Sequence, residues 1–324
     1  MRGWISHPDD VDAQVSRWEQ EHPRYFAAES IRQYSGRPVW ALTVTDRSLP
    51  PEAKRRIIVD KPHAHEPAPI AGQANVIHML LTGQSLDGRP TDFDNEKILR
   101  QCLLVFLIDC NPAGTAAAPV EAWDGLQYTN EEFWAWMRGV DPDTGKMWKR
   151  VDIWDDTKEE KLPTRYGIVY EQVSEHEYVE PNRCHRSSLF QWLFRLWERH
   201  PWDFMLSLHQ TEFEHSDRNC MVIMPCAFDE QPQWIQQAER AWGEAIVAAW
   251  NQVDGARPVP TVEPLRYTGE QREYLVRAWR EFHQKVPMNT TEVQNNNPAT
   301  PPALQARLNE VALKATVEFA LKSG

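Results

Sequence analysis

Two histidines and a glutamate stand within four residues of one another in the segment His63-Ala64-His65-Glu66. An apolar strand is predicted just before this segment, from Ile57, Ile58 and Val59, and a helix is predicted from about Ile70. Imidazole nitrogens and carboxylate oxygens both bind zinc, and the turn after a strand is where α/β proteins place their sites. The spacing therefore predicts a metal site with two ligands in this turn and a third elsewhere.

His209 is the candidate for the third ligand, because it follows a short apolar strand predicted over Phe204–Leu208. Two histidines and one carboxylate leave the fourth position of zinc open to water, which is typical of catalytic rather than structural sites. Taken alone, a histidine at a strand end is more often a hydrogen-bonded structural residue. The assignment of His209 therefore depends on the first two ligands.

The composition restricts the classes of function. The chain has 324 residues, of which 41% are hydrophobic, enough for one large α/β domain. Its net charge of −12 argues against nucleic acid or an anionic membrane as partner. No apolar run predicts a membrane span and the start of the chain lacks a signal-peptide pattern. The five cysteines form no CxxC pair and are odd in number, so we expect a cytoplasmic protein without a disulfide framework.

Hydrophobic periodicity predicts strands and helices that alternate along most of the chain. Helices are predicted over residues 8–20, 95–100, 187–199, 233–252, 268–285 and 304–322, and strands over 30–45 (a hairpin), 103–108, 221–224 and 290–293. Residues 115–166 are rich in Trp, Asp, Glu and Lys without long apolar periodicity, and are expected to form a large surface insertion. Residues 1–324 are thus expected to form a single α/β domain with a sheet between helix layers.

Several motifs occur in an order that resembles the zinc carboxypeptidases of the metallopeptidase M14 family. They are SGRPVWALTVTD at residues 35–46, His63-x-x-Glu66, IDCNPAG at residues 108–114, Asn182-Arg183, His209 and Glu292. The resemblance covers most of the chain. It implies a three-layer α/β/α sandwich around a mixed, twisted sheet.

The resemblance also implies roles for individual residues. His63, Glu66 and His209 would hold Zn²⁺. Glu292 would be the general base that takes a proton from the attacking water and passes it to the leaving amine. Asn182 and Arg183 would grip the terminal carboxylate of the substrate, since a guanidinium offers paired donors.

The sequence departs from the family pattern at Glu180, where the family usually has an aspartate. A carboxylate there can accept the second ring N–H of a zinc histidine. After His209 the sequence reads Gln210-Thr211 instead of the more usual Ser-Tyr or Gly-His, so we expect altered substrate contacts there.

Three assignments within the motif have competitors. The arginine that steadies the oxyanion is assigned to Arg165, with Arg150 as the alternative. The mobile tyrosine that contacts substrate is assigned to Tyr267, with Tyr274 as the alternative. His65 competes with His63, which is preferred because its three-residue step to Glu66 fits the family.

These assignments predict a zinc-dependent metallocarboxypeptidase-like hydrolase that cleaves a C-terminal peptide or amide bond. Its substrate would be a peptide or an acyl amino acid with a free carboxylate.

One alternative is an N-acyl amino acid deacylase of the same zinc fold. Another is an amidohydrolase barrel, which needs about eight β/α units, more than the pattern offers. A third is a binding protein that keeps the fold without catalysis, although the presence of Glu292 with all three ligands argues against it. A specificity-determining residue is expected between positions 264 and 288.

Overall fold

Strands and helices alternate along the chain, as the hydrophobic pattern predicts. The computed structural model describes residues 3–141, 143–145, 147, 153–158 and 167–323. The helices in these parts are α1 (Pro8–Glu21), α2 (Pro67–Thr82), α3 (Asn95–Gln101), α4 (Pro112–Ala116), α5 (Asn130–Arg138), α6 (Ser188–Arg199), α7 (Gln233–Trp250), α8 (Gly269–His283) and α9 (Pro302–Lys322). The strands are β1 (Phe26–Arg32), β2 (Pro38–Val44), β3 (Arg55–Asp60), β4 (Cys102–Leu107), β5 (Ile153–Asp155), β6 (Glu171–Gln172), β7 (Glu177–Val179), β8 (Phe204–Thr211), β9 (Cys220–Met224), β10 (Glu263–Pro264) and β11 (Met288–Gln294).

Eight of the described strands form one mixed sheet, in the order β1-β2-β4-β3-β8-β11-β9-β10. The four central strands β4, β3, β8 and β11 run parallel to one another, and antiparallel pairs flank them. The carboxyl ends of the central strands therefore lie at one edge of the sheet. In α/β proteins this edge is where ligand sites form.

Helices cover both faces of the sheet, which confirms the predicted three-layer α/β/α arrangement. Side chains of β3 alternate between the layers, because successive residues of a strand point to opposite faces. Ile57 and Val59 pack in the cluster that includes α1, α2, α7 and α9, whereas Ile58 packs in the cluster that includes α6 and α8. No helix in the described parts of the chain is long and apolar enough to cross a lipid bilayer.

Helix α2 follows the turn formed by residues 63–66, which we call the site turn. The helix is buried between the sheet and α9. A Cβ at Gly72 would lie 2.7 Å from the Cβ of Asn309 on α9, so only glycine permits this close approach of the two helices. Pro67 occupies the first turn of α2, where its missing N–H and fixed φ cost nothing. The position of the turn is thus fixed by packing on both sides.

The expected surface insertion, residues 115–166, is only partly a surface feature in the portions that the structure describes. Trp123 and Phe133 are buried and pack with Ala64 of the site turn. Helix α5, which the sequence analysis did not predict, begins with a capping box between Thr129 and Glu132. The insertion therefore supports the turn that carries the predicted metal ligands His63 and Glu66.

Candidate functional site

The structure brings His63, Glu66 and His209 together at the carboxyl edge of the sheet. His63 and Glu66 lie in the turn between β3 and α2, and His209 lies on the neighbouring parallel strand β8. All three side chains are buried, with between 1% and 5% of each residue exposed. One detail of the sequence analysis was wrong. His209 lies within β8, which continues to Thr211, because two further backbone pairings with β11 extend the strand.

The ligand atoms of this triad form a nearly equilateral triangle. His63 Nδ1 lies 3.0 Å from Glu66 Oε1, His209 Nδ1 lies 3.2 Å from the same oxygen, and the two Nδ1 atoms are 3.1 Å apart. A tetrahedral zinc ion with bonds of about 2.0–2.1 Å holds its ligand atoms about 3.3 Å apart. In addition, the buried Oε2 of Glu66 has no hydrogen-bond partner within the described residues. The three side chains therefore fit a tetrahedral divalent ion.

The second nitrogen of each histidine has a partner that orients the ring. His63 Nε2 donates to Glu180 Oε1 at 2.6 Å. Ser207 Oγ donates to Asp60 Oδ1 at 2.6 Å and therefore accepts the proton of His209 Nε2 at 3.0 Å. With the proton of each ring on Nε2, the Nδ1 lone pairs face the centre of the triad, as metal ligation requires.

The sequence analysis missed Ser207 and Asp60. A signal was available for Ser207, since it stands two residues before His209 and side chains two apart share a face of a strand. Asp60 is the last residue of β3, and its contact with Ser207 depends on the pairing of β3 with β8. Burial raises the pKa of the Asp60 carboxyl to about 7, although the Ser207 hydroxyl opposes this shift.

Charges inside the triad stabilise one another. Burial disfavours the charged form of His63, but the carboxylates of Glu66 and Glu180 outweigh burial and raise the pKa of this imidazole. Burial likewise raises the pKa of Glu66, but the imidazoles of His209 and His63 outweigh it and hold this pKa well below its usual value. Glu66 is therefore an anion at neutral pH, which suits binding of a cation.

His65, the competing ligand, lies beside the triad. Its ring stacks on that of His63 with centroids 5.3 Å apart, and its Nε2 lies 3.5 Å from Glu66 Oε1. The Phe133 ring of α5 lies edge-on to the His65 ring, with centroids 5.8 Å apart. His65 thus connects the insertion to the triad, while His63 makes the shorter contacts with Glu66 and His209.

The IDCNPAG motif at the end of β4 ties this edge of the sheet to the loop before β6. Asn111 Nδ2 donates to the carbonyl oxygens of Ile168, Val169 and Tyr170 at 3.1–3.3 Å. A Cβ at Gly114 would lie 2.2 Å from the Ile168 oxygen, so glycine is required there. The motif therefore has a structural role in holding the site together.

Glu180 joins the candidate metal site to the predicted carboxylate clamp. One carboxylate oxygen binds His63, and the other lies 3.3 Å from Nε of Arg183, whose side chain is 2% exposed. The amide of Asn182, oriented with its NH₂ toward Glu180, donates to Oε1 at 3.0 Å. Glutamate in place of the family's aspartate thus reaches both His63 and Arg183.

Glu292 lies across from His209 in the β8–β11 pairing, so both side chains leave the sheet on the same side. Both line a cleft of about 100 Å³ between these strands and α8. Asn182, Arg183 and Tyr267 line the same cleft, and the Tyr267 ring lies 5.7 Å from the Arg183 guanidinium carbon. The structure therefore brings the predicted base, clamp and tyrosine together beside the triad.

The remaining predicted residues separate into two groups. Tyr274 is half-buried and donates to Glu270 at 2.9 Å, and it is not among the described residues that line the cleft. Arg165 and Arg150 lie outside the described residues, so the assignment of the oxyanion arginine stays a prediction.

The other wall of the cleft comes from the region where a specificity-determining residue was expected. Its residues from that region are Leu265, Tyr267, Leu275, Trp279 and His283, and Met288 extends it at the start of β11. Leu275, Trp279 and His283 recur every four residues along one face of α8. Sequence reasoning did not single out His283, because a histidine at helical spacing has no motif of its own.

The three-layer fold is that of solved metallocarboxypeptidases. A metallo-carboxypeptidase from Burkholderia cenocepacia matches 98% of this chain over 70% of its own, with a TM-score of 0.59 and 14% identity. Carboxypeptidase A from Helicoverpa armigera matches the whole chain over 75% of its own, with a TM-score of 0.64 and 12% identity. Bovine thrombin-activatable fibrinolysis inhibitor, in complex with tick carboxypeptidase inhibitor, matches the whole chain over 99% of its own, with a TM-score of 0.61 and 12% identity.

No protein-family model and no curated protein matches the sequence. At 12–14% identity, the likeness to these structures is one of fold.

Proposed function

We propose that the protein is a zinc-dependent hydrolase of the carboxypeptidase type. It would cleave the last peptide or amide bond of a substrate that ends in a free carboxylate. The observation that carries this proposal is a single cleft lined by two histidines of the triad, the carboxylate of Glu292 and the guanidinium of Arg183. A metal site, a base and an anion clamp are the three parts that such a reaction needs.

The chemistry divides between the metal and the side chains. When bound at the triad, zinc supplies Lewis-acid polarisation of a carbonyl and makes water nucleophilic near neutral pH. Glu292 accepts the proton of the attacking water and delivers it to the nitrogen of the leaving amine. His63 and His209 keep their orientation through Glu180 and Ser207, so the triad needs little rearrangement.

The guanidinium of Arg183 makes the reaction specific for chain ends, whereas the NH₂ of Asn182 is directed at Glu180. A buried guanidinium binds a carboxylate through paired charge-assisted hydrogen bonds, which are stronger than neutral ones. An internal peptide bond offers no such anion at the right distance. One protein of similar fold is in complex with tick carboxypeptidase inhibitor, which supports a polypeptide ligand for this cleft.

An N-acyl amino acid deacylase stays the second candidate, because its substrate carries the same carboxylate on the same leaving amine. The two candidates differ only in the acyl side of the scissile bond. The cytoplasmic location expected from the cysteines also stays a prediction of the sequence.

Metal content measured by mass spectrometry tests the triad. We expect about one zinc per chain in the wild type, purified without added metal, and none in His209→Ala. His215→Ala is the matched control, since this histidine lies six residues further along with its side chain 89% exposed. Absence of zinc from the wild type, even after dialysis against it, would contradict the proposal.

Hydrolysis of paired substrates tests the clamp. The same acyl dipeptide is offered with a free C-terminal carboxylate and as the C-terminal amide, together with the corresponding N-acyl amino acid. Of the two dipeptides, we expect only the one with a free C-terminal carboxylate to be cleaved. Equal cleavage of the acid and the amide would exclude a carboxypeptidase, and faster cleavage of the acyl amino acid would favour the deacylase.

A further inference from the structure

We propose that His283 selects the C-terminal side chain of the substrate and favours an aromatic ring that carries a hydroxyl group, as tyrosine does. This inference rests on the proposed function, because Glu292 and Arg183 mark where the scissile bond and the terminal carboxylate lie. His283 is then a specificity-determining residue at the opposite end of the cleft.

The distance along β11 sets the length of the pocket. Glu292, Thr290 and Met288 all line the cleft, and alternate residues of a strand share a face. Four residues at about 3.3 Å each place Met288 about 13 Å from Glu292 along the strand. This separation between the two residues is long enough for a long or aromatic side chain to lie behind the scissile bond.

The far end of this pocket is held in place by a hydrogen-bond network. Glu239 Oε1 accepts from the backbone N–H of Met288 at 2.8 Å and from Gln231 Nε2 at 2.8 Å. Gln231 Nε2 also donates to the His283 carbonyl at 3.1 Å. The end of α8 and the start of β11 are therefore fixed relative to each other, and His283 with them.

The walls between the two ends are mostly apolar. Ile223, Leu265 and Leu275 line the cleft, and the Trp279 ring lies parallel to the His283 ring with centroids 6.0 Å apart. Glu292 is the only carboxylate among the described residues that line it, so the far end offers no partner for a basic side chain. The described lining has no lysine and no arginine besides Arg183. The far end therefore offers no partner for an acidic side chain either.

His283 supplies a polar group at the far end of this lining. The residue is only 4% exposed, and its buried Nδ1 has no hydrogen-bond partner within the described part of the chain. Burial lowers the pKa of its imidazole to about 3, so the ring is neutral and offers one donor and one acceptor. A ligand that pairs with such a group is favoured over one that leaves it unpaired.

A phenolic hydroxyl fits this environment better than other neutral groups. It both donates and accepts, so it can pair with either tautomer of the histidine. Its ring is apolar and planar, which suits the walls formed by the leucines and Trp279. A purely apolar side chain of the same size would fill the pocket and leave His283 without a partner.

A matched pair of substrates tests this inference on the wild-type protein. Acyl dipeptides that end in tyrosine and in 4-methylphenylalanine differ by a hydroxyl and a methyl group of similar size. We expect kcat/KM to be roughly tenfold or more higher for tyrosine, because sites built to bind a hydroxyl discriminate strongly against its absence. Calorimetric binding of the free amino acids tyrosine and 4-methylphenylalanine should show the same order without requiring turnover.

A substitution then assigns the preference to His283. In His283→Leu we expect the ratio of the two kcat/KM values to fall to about one. His185→Phe is the control, because this histidine also contacts α8, through the Ala278 carbonyl at 2.7 Å, but does not line the cleft in the described structure. Its ratio should stay that of the wild type, and a ratio is insensitive to partial loss of folded protein.

The outcomes separate the inference from the function on which it rests. Cleavage of both substrates at equal rates, or a tyrosine preference that persists in His283→Leu, overturns the role of His283 and leaves the carboxypeptidase proposal intact. If His283→Leu does not fold, the wild-type comparison decides alone. Absence of zinc and of all hydrolysis overturns both proposals together.

Discussion

The two ends of the cleft hold buried histidines in opposite surroundings. At the reactive end, Glu66 and Glu180 contact His63 and raise its pKa despite burial. At the far end, no charged group of the described residues accompanies His283, and burial lowers its pKa to about 3. The same side chain is therefore suited to metal binding among anions at one end and to neutral hydrogen bonding at the other. Neighbouring groups, rather than residue type, decide the role of a buried histidine.

Two buried glutamates show the same contrast. Glu180 lies between His63 and Arg183, both of which favour its anionic form. Glu239, behind the far end, contacts only neutral donors, and burial raises its pKa to about 8. The reactive end is thus built from compensated charges, and the far end carries none at neutral pH.

The largest expected effect comes from removing the proposed base at the reactive end. We expect Glu292→Gln to lower kcat by roughly 10²–10⁴-fold, the usual contribution of a general base, while zinc content is unchanged. Steady-state kinetics and metal analysis on one preparation check both statements. Glu273→Gln, on the exposed side of α8, is the matched control and should behave as the wild type. Full activity in Glu292→Gln would remove this residue from the mechanism.

Removal of the residue that orients His63 should have the next largest effect. Glu180→Gln is expected to weaken zinc binding roughly 10–100-fold, since partners of ligand histidines contribute about that much to metal affinity. Competition with a chelator measures the affinity. The control is Glu177→Gln, in the same segment, which pairs with Arg186 near the surface. Unchanged affinity in Glu180→Gln would mean that the 2.6 Å contact does not tune the metal site.

The raised pKa of Glu239, behind the far end of the cleft, predicts a difference in stability between the wild type and Glu239→Gln that depends on pH. The pKa of Glu239 is raised from 4.5 to about 8 in the folded protein, so wild-type stability is lost as the pH rises through this window. Glu239→Gln lacks the ionisable group. The free energy of unfolding of the variant should therefore rise relative to that of the wild type by up to about 1.4 kcal/mol per pH unit as the pH increases from 5 to 8.

Urea unfolding at several pH values measures this difference. Glu244→Gln, exposed on the same helix, should give a constant difference from the wild type. A constant difference for Glu239→Gln as well would contradict the raised pKa.

The smallest expected effect is on KM and concerns Tyr267, in the wall between the reactive end and the far end of the cleft. Tyr267→Phe should raise KM roughly 2–10-fold, the range expected for loss of one hydrogen bond to substrate. Tyr274→Phe should leave KM unchanged, because its hydroxyl contacts Glu270 outside the cleft. The reverse result would exchange the assignments of the two tyrosines.

The sequence determined the local features of the protein. Apolar periodicity predicted β3, β4, α1, α6 and α7 to within about two residues, because the spacing of buried side chains follows directly from strand and helix geometry. The ligand types and the His63-x-x-Glu66 spacing predicted which side chains suit zinc. Helix α5 was missed because its apolar residues face the insertion and the site turn, not a regular core stripe.

Only the tertiary structure decided which of these side chains meet. His63 and His209 are 146 positions apart in sequence, and their contact depends on the parallel pairing of β3 with β8. Asp60 and His283 carry no motif that separates them from ordinary buried polar residues, and the only sequence signal for Ser207 is its position two residues before His209. Their roles follow from burial, pairing register and missing partners. These are properties of three-dimensional packing that no linear pattern contains, because hydrogen bonds and desolvation act between neighbours in space.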